Sequence, residues 1–206
     1  MNVEQNLHSL FDDKPDVVRV LSKFNEAHIR WALYAGCETA LLAGNRVPTD
    51  IDIIVHDEDF EKVAEILPDL KRYDNEPEDV TTGEGSRVGF VYSGIVGQLD
   101  QTDIDIMSAA SFEVGGQMFP IRLTDLAVEN RLAYQYEALH VFLANPFDTI
   151  LIKAFMRRGK EQNKFDKPDA RALAIAIKID RTYRSQRLQE VGAPAEVLQF
   201  LQEVGA

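Results

Sequence analysis

Two short segments of this chain alternate aspartate with isoleucine, and the alternation limits what either segment can form. The first is Asp50-Ile51-Asp52-Ile53 and the second is Asp103-Ile104-Asp105-Ile106. Side chains two apart in a strand point to the same face, so each segment predicts a strand with paired carboxylates on one face and isoleucines in the core. Adjacent carboxylates repel each other and raise the pKa of one of them. Each predicted strand therefore needs a partner for its acidic face.

Taken alone, one acidic pair is explained as well by two carboxylates that face water as by a binding site. A calcium loop of the EF-hand type is excluded, because Ile54 follows where a further ligand is required and the turn glycine and closing glutamate are missing. The presence of a second acidic pair favours a metal-binding site. Magnesium prefers oxygen ligands, and a two-metal site for phosphoryl or nucleotidyl chemistry needs about three carboxylates from neighbouring strands. Asp103 and Asp105 face the same side, so either can be the third ligand.

Composition restricts the class of protein. The chain has 206 residues, of which 45% are hydrophobic, and a net charge of −12. These values predict a soluble domain with at most a small helical appendage, and they disfavour broad binding to nucleic acid. Binding of a nucleotide is still compatible with this net charge, because cations held by carboxylates reverse the sign of the local electrostatic field. One cysteine, no signal-like N-terminus and no apolar stretch of about 20 residues predict a cytoplasmic protein without membrane contact.

Local patterns predict a mixed α/β part over residues 1–144 and a helical segment over residues 145–206. Asn145 can cap the first helix of that segment, which Pro146 begins. Residues 74–86 are rich in Gly, Pro and acids and predict an exposed loop. Strands are predicted at 31–35, 51–55, 88–92, 102–107, 118–123 and 139–144, and helices at 15–28, 38–43, 57–67, from 146, from 166 to about 183, and from 193.

The residues around the first acidic pair resemble a known signature. Gly36-Cys37 is followed by the helix-prone segment 39–42, and the segment Gly44-Asn45-Arg46-Val47-Pro48-Thr49 leads directly into Asp50. This arrangement resembles the DNA polymerase β-like nucleotidyltransferase superfamily, in which a glycine turn and a short gap precede Asp-hydrophobic-Asp. Gly-x-Arg-x-x-Thr before the acids is similar to small prokaryotic members, including the toxins of abortive-infection toxin–antitoxin pairs. Residues 146–173 are similar to the helical half of those members.

The resemblance implies an α/β (α+β) fold, with a mixed sheet flanked by helices and a C-terminal helical segment. It implies transfer of a nucleoside monophosphate from a triphosphate such as ATP to a hydroxyl of RNA, a protein or a small molecule such as an aminoglycoside. Mg²⁺, or Mn²⁺, is the implied cofactor, and an antitoxin-like protein is an implied partner. The implied catalytic and metal-binding residues are Asp50, Asp52 and Asp105, with Asp103 as the other candidate ligand. The implied nucleotide-binding residues are Gly36, Cys37, Arg46, Thr49, Lys153 and Arg157.

The chain departs from the signature at the glycine turn. Cys37 stands where glycine or serine is usual, and Glu38 at this turn would repel a phosphate. This departure motivates an alternative, a catalytically inactive protein that binds a nucleotide or a partner. Lys153 and Arg157 are four apart and predict one helix face, which either contacts phosphates or is a solvated cationic surface. Asp166 and Asp169 are typical of an ordinary helix start.

Overall fold

The computed structural model describes residues 3–44, 48, 50–162 and 164–206. The helices are α1 (Val3–Phe11), α2 (Pro15–Glu26), α3 (Ala35–Ala43), α4 (Phe60–Ile66), α5 (Asp125–Glu129), α6 (Pro146–Met156), α7 (Asp166–Ala176), α8 (Arg181–Val191) and α9 (Ala195–Val204). The strands are β1 (Trp31–Leu33), β2 (Asp50–Val55), β3 (Lys71–Thr81), β4 (Arg87–Leu99), β5 (Thr102–Val114), β6 (Gln117–Arg122), β7 (Leu132–Tyr136) and β8 (Leu139–Leu143). None of the helices in these ranges combines the length and apolar character that crossing a membrane requires.

The strands form one mixed sheet in the order β3-β4-β5-β2-β1-β8-β7. Strands β2 and β5 are parallel, as are β1 and β8, and the other neighbouring pairs are antiparallel. The first half of β5 pairs with β2 and its second half pairs with β6. The expected fold class, a mixed sheet flanked by helices and followed by C-terminal helices, is confirmed.

Helices cover both faces of the sheet, and each face has its own apolar cluster. Side chains of α1, α2 and α4 pack with Ile51, Ile53, Ile104 and Ile106 on one face. Side chains of α6 to α9 pack on the other face. The isoleucines predicted to face the core are thus buried, which stabilises the sheet by about 1.5–3 kcal/mol for each fully buried side chain. The second cluster contains residues from both sides of position 144, so the division at that position stays a prediction.

Two predictions of local structure were wrong. Residues 74–86 are not a loop, because β3 extends to Thr81 and only a short turn separates it from β4. The strand lies at the edge of the sheet, where its acids face solvent and Pro77 is tolerated, so backbone pairing overrides composition. The helix expected to reach residue 183 ends at Ala176. Ile177 is extended, and the Asp180 side chain starts a new helix by accepting the Tyr183 N–H at 2.8 Å.

Candidate active site

The parallel register of β2 and β5 brings the two acidic segments together. Asp50 lies opposite Asp103, and Asp52 lies opposite Asp105. Neighbouring strands are about 4.8 Å apart, so side chains on one face of such a pair are close. Asp50, Asp52 and Asp105 line one cavity of about 360 Å³, which α6 and α7 complete.

The structure distinguishes the two aspartates of β5, which spacing alone left open. Asp105 is half-buried and lines the cavity. Asp103 is exposed, does not line the cavity, and accepts a hydrogen bond from the Gln98 side chain at 2.7 Å. Asp105 is therefore the better candidate for the third carboxylate, as the resemblance implied.

The carboxylates of the cavity oppose one another's ionisation. Burial, together with the charges of Asp50 and Asp105, raises the pKa of Asp52 to about 7, although the Gly36 N–H and Lys153 act in the other direction. Burial, with Asp50 and Glu78, raises the pKa of Asp105 to about 6. A cation between these groups would relieve the repulsion.

The oxygen donors suit a hard divalent cation. No three His, Cys, Asp or Glu side chains in the described part of the chain converge closely enough to hold a metal ion by themselves. Mg²⁺ usually takes only one or two carboxylates and completes its octahedron with water and substrate phosphate. The donor chemistry of Asp50, Asp52 and Asp105 therefore fits Mg²⁺ bound together with a triphosphate.

The glycine turn at the start of α3 points into the same cavity. Ala35 has a positive φ of 50°, a conformation that costs free energy for a residue with a β-carbon. The Ala35 N–H donates to the Thr149 hydroxyl at 3.0 Å, which holds the turn. The Gly36 N–H then donates to Asp52 Oδ2 at 3.0 Å. Gly36 and Ala35 line the cavity, so the turn joins the acidic edge of the sheet to α3.

The two unusual residues of this turn face away from the cavity. The Cys37 thiol is buried and donates to the Asp50 carbonyl oxygen at 3.0 Å. Glu38 is buried, accepts the Thr149 hydroxyl, and has a pKa raised well above its usual value by that burial. Neither residue lines the cavity. The Cys37 side chain is therefore not placed to contact a phosphate in the cavity, and the Glu38 side chain is not placed to repel one.

Lys153 reaches the cavity from a buried position. Its Nζ lies 2.9 Å from Asp169 Oδ2 and 3.6 Å from Asp166 Oδ1. The solvated alternative for Lys153 was wrong, since its side chain is buried. Asp166 and Asp169 do lie in the first turn of α7, as a helix start predicts, but both acids are also buried against the lysine. Asp166 and Asp169 hold the Lys153 side chain in place. A pattern within one segment cannot show this ion pairing, because the lysine belongs to α6 and the two acids belong to α7.

Arg157 does not share a helix face with Lys153, which corrects the prediction from their spacing. Helix α6 ends at Met156, and Arg157 has a left-handed φ of 46°. Arg157 does not line the cavity, whereas Arg158 and Lys164 do. Sequence reasoning missed these two cations as site residues, although the density of basic residues in segment 157–164 was a usable signal. Arg46 and Thr49, also expected to bind nucleotide, lie outside the described residues.

The scan of protein-family models and the search of curated proteins found no match. Among solved structures, the chain is similar to an antigenic nucleotidyltransferase-like protein from Paracoccidioides brasiliensis, with 16% identity, a TM-score of 0.49 and coverage of 92% of this chain and 89% of that one. It is also similar to the solution structure of the antibiotic-resistance factor ANT(2'')-Ia, with 10% identity, a TM-score of 0.49 and coverage of 97% and 98%.

A crystal structure of ANT(2'')-Ia in complex with adenylyl-2''-tobramycin gives 9% identity, a TM-score of 0.48 and coverage of 89% of this chain and 94% of that one. These three TM-scores are below 0.5. These likenesses therefore carry no argument about function, which rests on the chain's own cavity.

Proposed function

We propose that this chain is a divalent-metal-dependent nucleotidyltransferase that moves a nucleoside monophosphate from a nucleoside triphosphate to an acceptor hydroxyl. One observation carries the proposal. Three carboxylates from two adjacent parallel strands line a single cavity that also contains Lys153, Arg158 and Lys164. Carboxylates suit the metal and the cations suit the phosphates, so the cavity provides both parts of a metal–triphosphate site.

Each group has a role that follows from its environment. Asp50 and Asp52 hold Mg²⁺ or Mn²⁺, which when bound neutralises charge on the phosphates. Asp105 accepts the proton of the acceptor hydroxyl, because its carboxylate lines the same cavity as Asp50 and Asp52. The acceptor oxygen bonds to the α-phosphorus as the bond from that phosphorus to the bridging oxygen breaks, and pyrophosphate leaves. Lys153, oriented by Asp166 and Asp169, balances phosphate charge.

The buried positions of Cys37 and Glu38 favour an active enzyme over the inactive alternative. That alternative rested on a negative charge and a weak donor at the phosphate turn, and both side chains point into the core. Ala35 and Gly36 of the turn line the cavity, where their N–H groups donate to Thr149 and Asp52 and so hold the cavity wall in place. ATP as donor and an antitoxin-like partner follow from the family resemblance alone and belong to the proposal on that ground.

The two aspartates of β5 give a matched test of this function. Asp105→Asn is expected to lower the rate of pyrophosphate release by about a hundredfold or more, because it removes the general base. Asp103→Asn is expected to keep the wild-type rate, since Asp103 is exposed and outside the cavity. The assay uses Mg²⁺, the four ribonucleoside triphosphates, and RNA, protein and aminoglycoside acceptors in turn. Equal rates for the two variants would contradict the site, and no release by wild type would favour the inactive alternative.

A further inference from the structure

A second cavity adjoins the one that contains the carboxylates. It has a volume of about 370 Å³ and lies between the β3–β4 turn, the connection from α6 to α7, and α9. The two cavities share Arg158, Lys164 and Phe165 in their walls. A molecule in the second cavity is therefore a neighbour of a triphosphate in the first.

Backbone contacts hold the walls of the second cavity together. The Gly83 N–H donates to the Arg157 carbonyl oxygen at 2.7 Å. A β-carbon at Gly83 would lie 3.3 Å from the Gly159 α-carbon, so the β3–β4 turn packs directly on the α6–α7 connection. The Gln162 side chain also donates to the Thr81 carbonyl oxygen. The backbone of the two walls is thus held in a fixed arrangement by these contacts.

Cations predominate in the lining of the second cavity. Five lysines and arginines and three glutamates line it, in a chain whose net charge is −12. Two of the cations are ion-paired: Arg158 with Asp166 and Lys167 with Glu203. The other three form no ion pair with any described residue: Arg157, Lys160 and Lys164. The Arg157 Nε is buried and has no hydrogen-bond partner in the described ranges.

The lining of the second cavity suits a ligand that carries a phosphate next to a planar ring. Guanidinium and ammonium groups are strong donors to phosphate oxygens. Phe165 is 40% exposed at the boundary between the cavities, so part of its ring is accessible to a base. A polycationic aminoglycoside would instead meet charges of its own sign.

We infer that the second cavity is the acceptor subsite and takes a nucleotide, either free or at the end of an RNA strand, whose hydroxyl is presented to the carboxylates. This inference rests on the proposed function, and it selects one acceptor chemistry from the classes that the sequence left open. Arg157 and Lys160 bind the phosphate of the acceptor, and Phe165 contacts its base.

Direct binding tests the inference with three probes: a nucleoside 5′-monophosphate, a short single-stranded RNA and an aminoglycoside. Wild type is expected to bind the monophosphate, the RNA or both, and not to bind the aminoglycoside. Arg157→Gln/Lys160→Gln is expected to weaken that binding by about tenfold or more. Lys178→Gln/Arg181→Gln removes the same charge from exposed positions outside both cavities and is expected to bind like wild type. The monophosphate and RNA arms distinguish a free from a polymeric acceptor.

Three results would overturn the inference: equal binding by wild type and the Arg157/Lys160 variant, preference for the aminoglycoside, or no binding of either nucleotide probe. Lys160→Glu serves as a second variant: because Lys160 is exposed, this protein is expected to fold like wild type and to bind the nucleotide probes more weakly. Binding of magnesium and a triphosphate is measured on the same proteins. Triphosphate binding without acceptor binding contradicts only the subsite, whereas acceptor binding without triphosphate binding contradicts only the proposed function.

Discussion

Asp52→Asn is expected to abolish nucleotide transfer and, in the metal-free protein at pH 8, to raise the free energy of unfolding by as much as about 4 kcal/mol. The ordinary pKa of an aspartate is 3.8, and burial is the chief cause that raises the pKa of Asp52 in the fold to about 7. Between these pH values the folded state retains a proton that the unfolded state has released. Wild-type stability therefore falls as pH rises from about 4 through 7, and asparagine, which cannot ionise, escapes this loss.

Urea denaturation in a metal chelator, at pH 5 and pH 8, measures this effect. The wild type should lose stability between the two pH values, and Asp52→Asn should lose less. Asp103→Asn is the matched control, because that carboxylate is exposed and outside the cavity. Saturating Mg²⁺ should reduce the advantage of the variant, since a ligand that binds only the folded wild type stabilises it. An Asp52→Asn protein that is less stable than wild type at pH 8 would count against this interpretation of the acidic edge.

Arg187→Met is expected to lower the free energy of unfolding by about 3–5 kcal/mol. Arg187 of α8 is 1% exposed, and its Nε donates to Asp148 Oδ1 of α6 at 2.7 Å. It also donates to the Arg122 carbonyl oxygen at 3.1 Å and pairs with Glu190. Methionine keeps much of the apolar volume but leaves the Asp148 carboxylate buried without its cation, which is the source of the cost.

Urea unfolding of Arg184→Met provides the comparison for Arg187→Met. Arg184 belongs to the same helix and forms no ion pair with any residue in the described ranges, so its replacement should change stability by no more than about 0.5 kcal/mol. Arg187→Met/Asp148→Leu should recover part of the loss, because both charges are then gone. A loss below about 1 kcal/mol for Arg187→Met would mean that this ion pair does not hold α8 on the core.

The acidic strands were predictable because strand alternation is a local property. Ile51 and Ile104 are buried and Asp52 and Asp105 line the cavity, as a period of two requires. The helix start at Pro146 was predictable for the same reason, since Asn145 caps it by accepting the Phe147 N–H at 3.1 Å. Strand alternation could not distinguish Asp103 from Asp105, because their difference depends on how deeply each position lies in the assembled sheet; only the family resemblance favoured Asp105.

Contacts between distant segments account for what sequence patterns missed. Helix α2 has no side-chain cap of its own, and Asp100 caps it by accepting the Asp16 N–H at 2.6 Å. The ion pairs of Lys153 and the left-handed Arg157 depend on where α6 ends and on what packs against it. Strand β3 exists because β4 pairs with it, although its composition is typical of a loop. None of these features follows from spacing within one segment.

Calorimetric titration of the four ribonucleoside triphosphates, with and without Mg²⁺, tests the central claim most directly. The proteins compared are wild type and Asp50→Asn/Asp52→Asn. We predict that wild type binds at least one triphosphate only when Mg²⁺ is present and that the double variant loses this binding while staying folded. Equal binding by both proteins, or no binding by wild type at millimolar nucleotide, would contradict the claim that these carboxylates form a metal–triphosphate site.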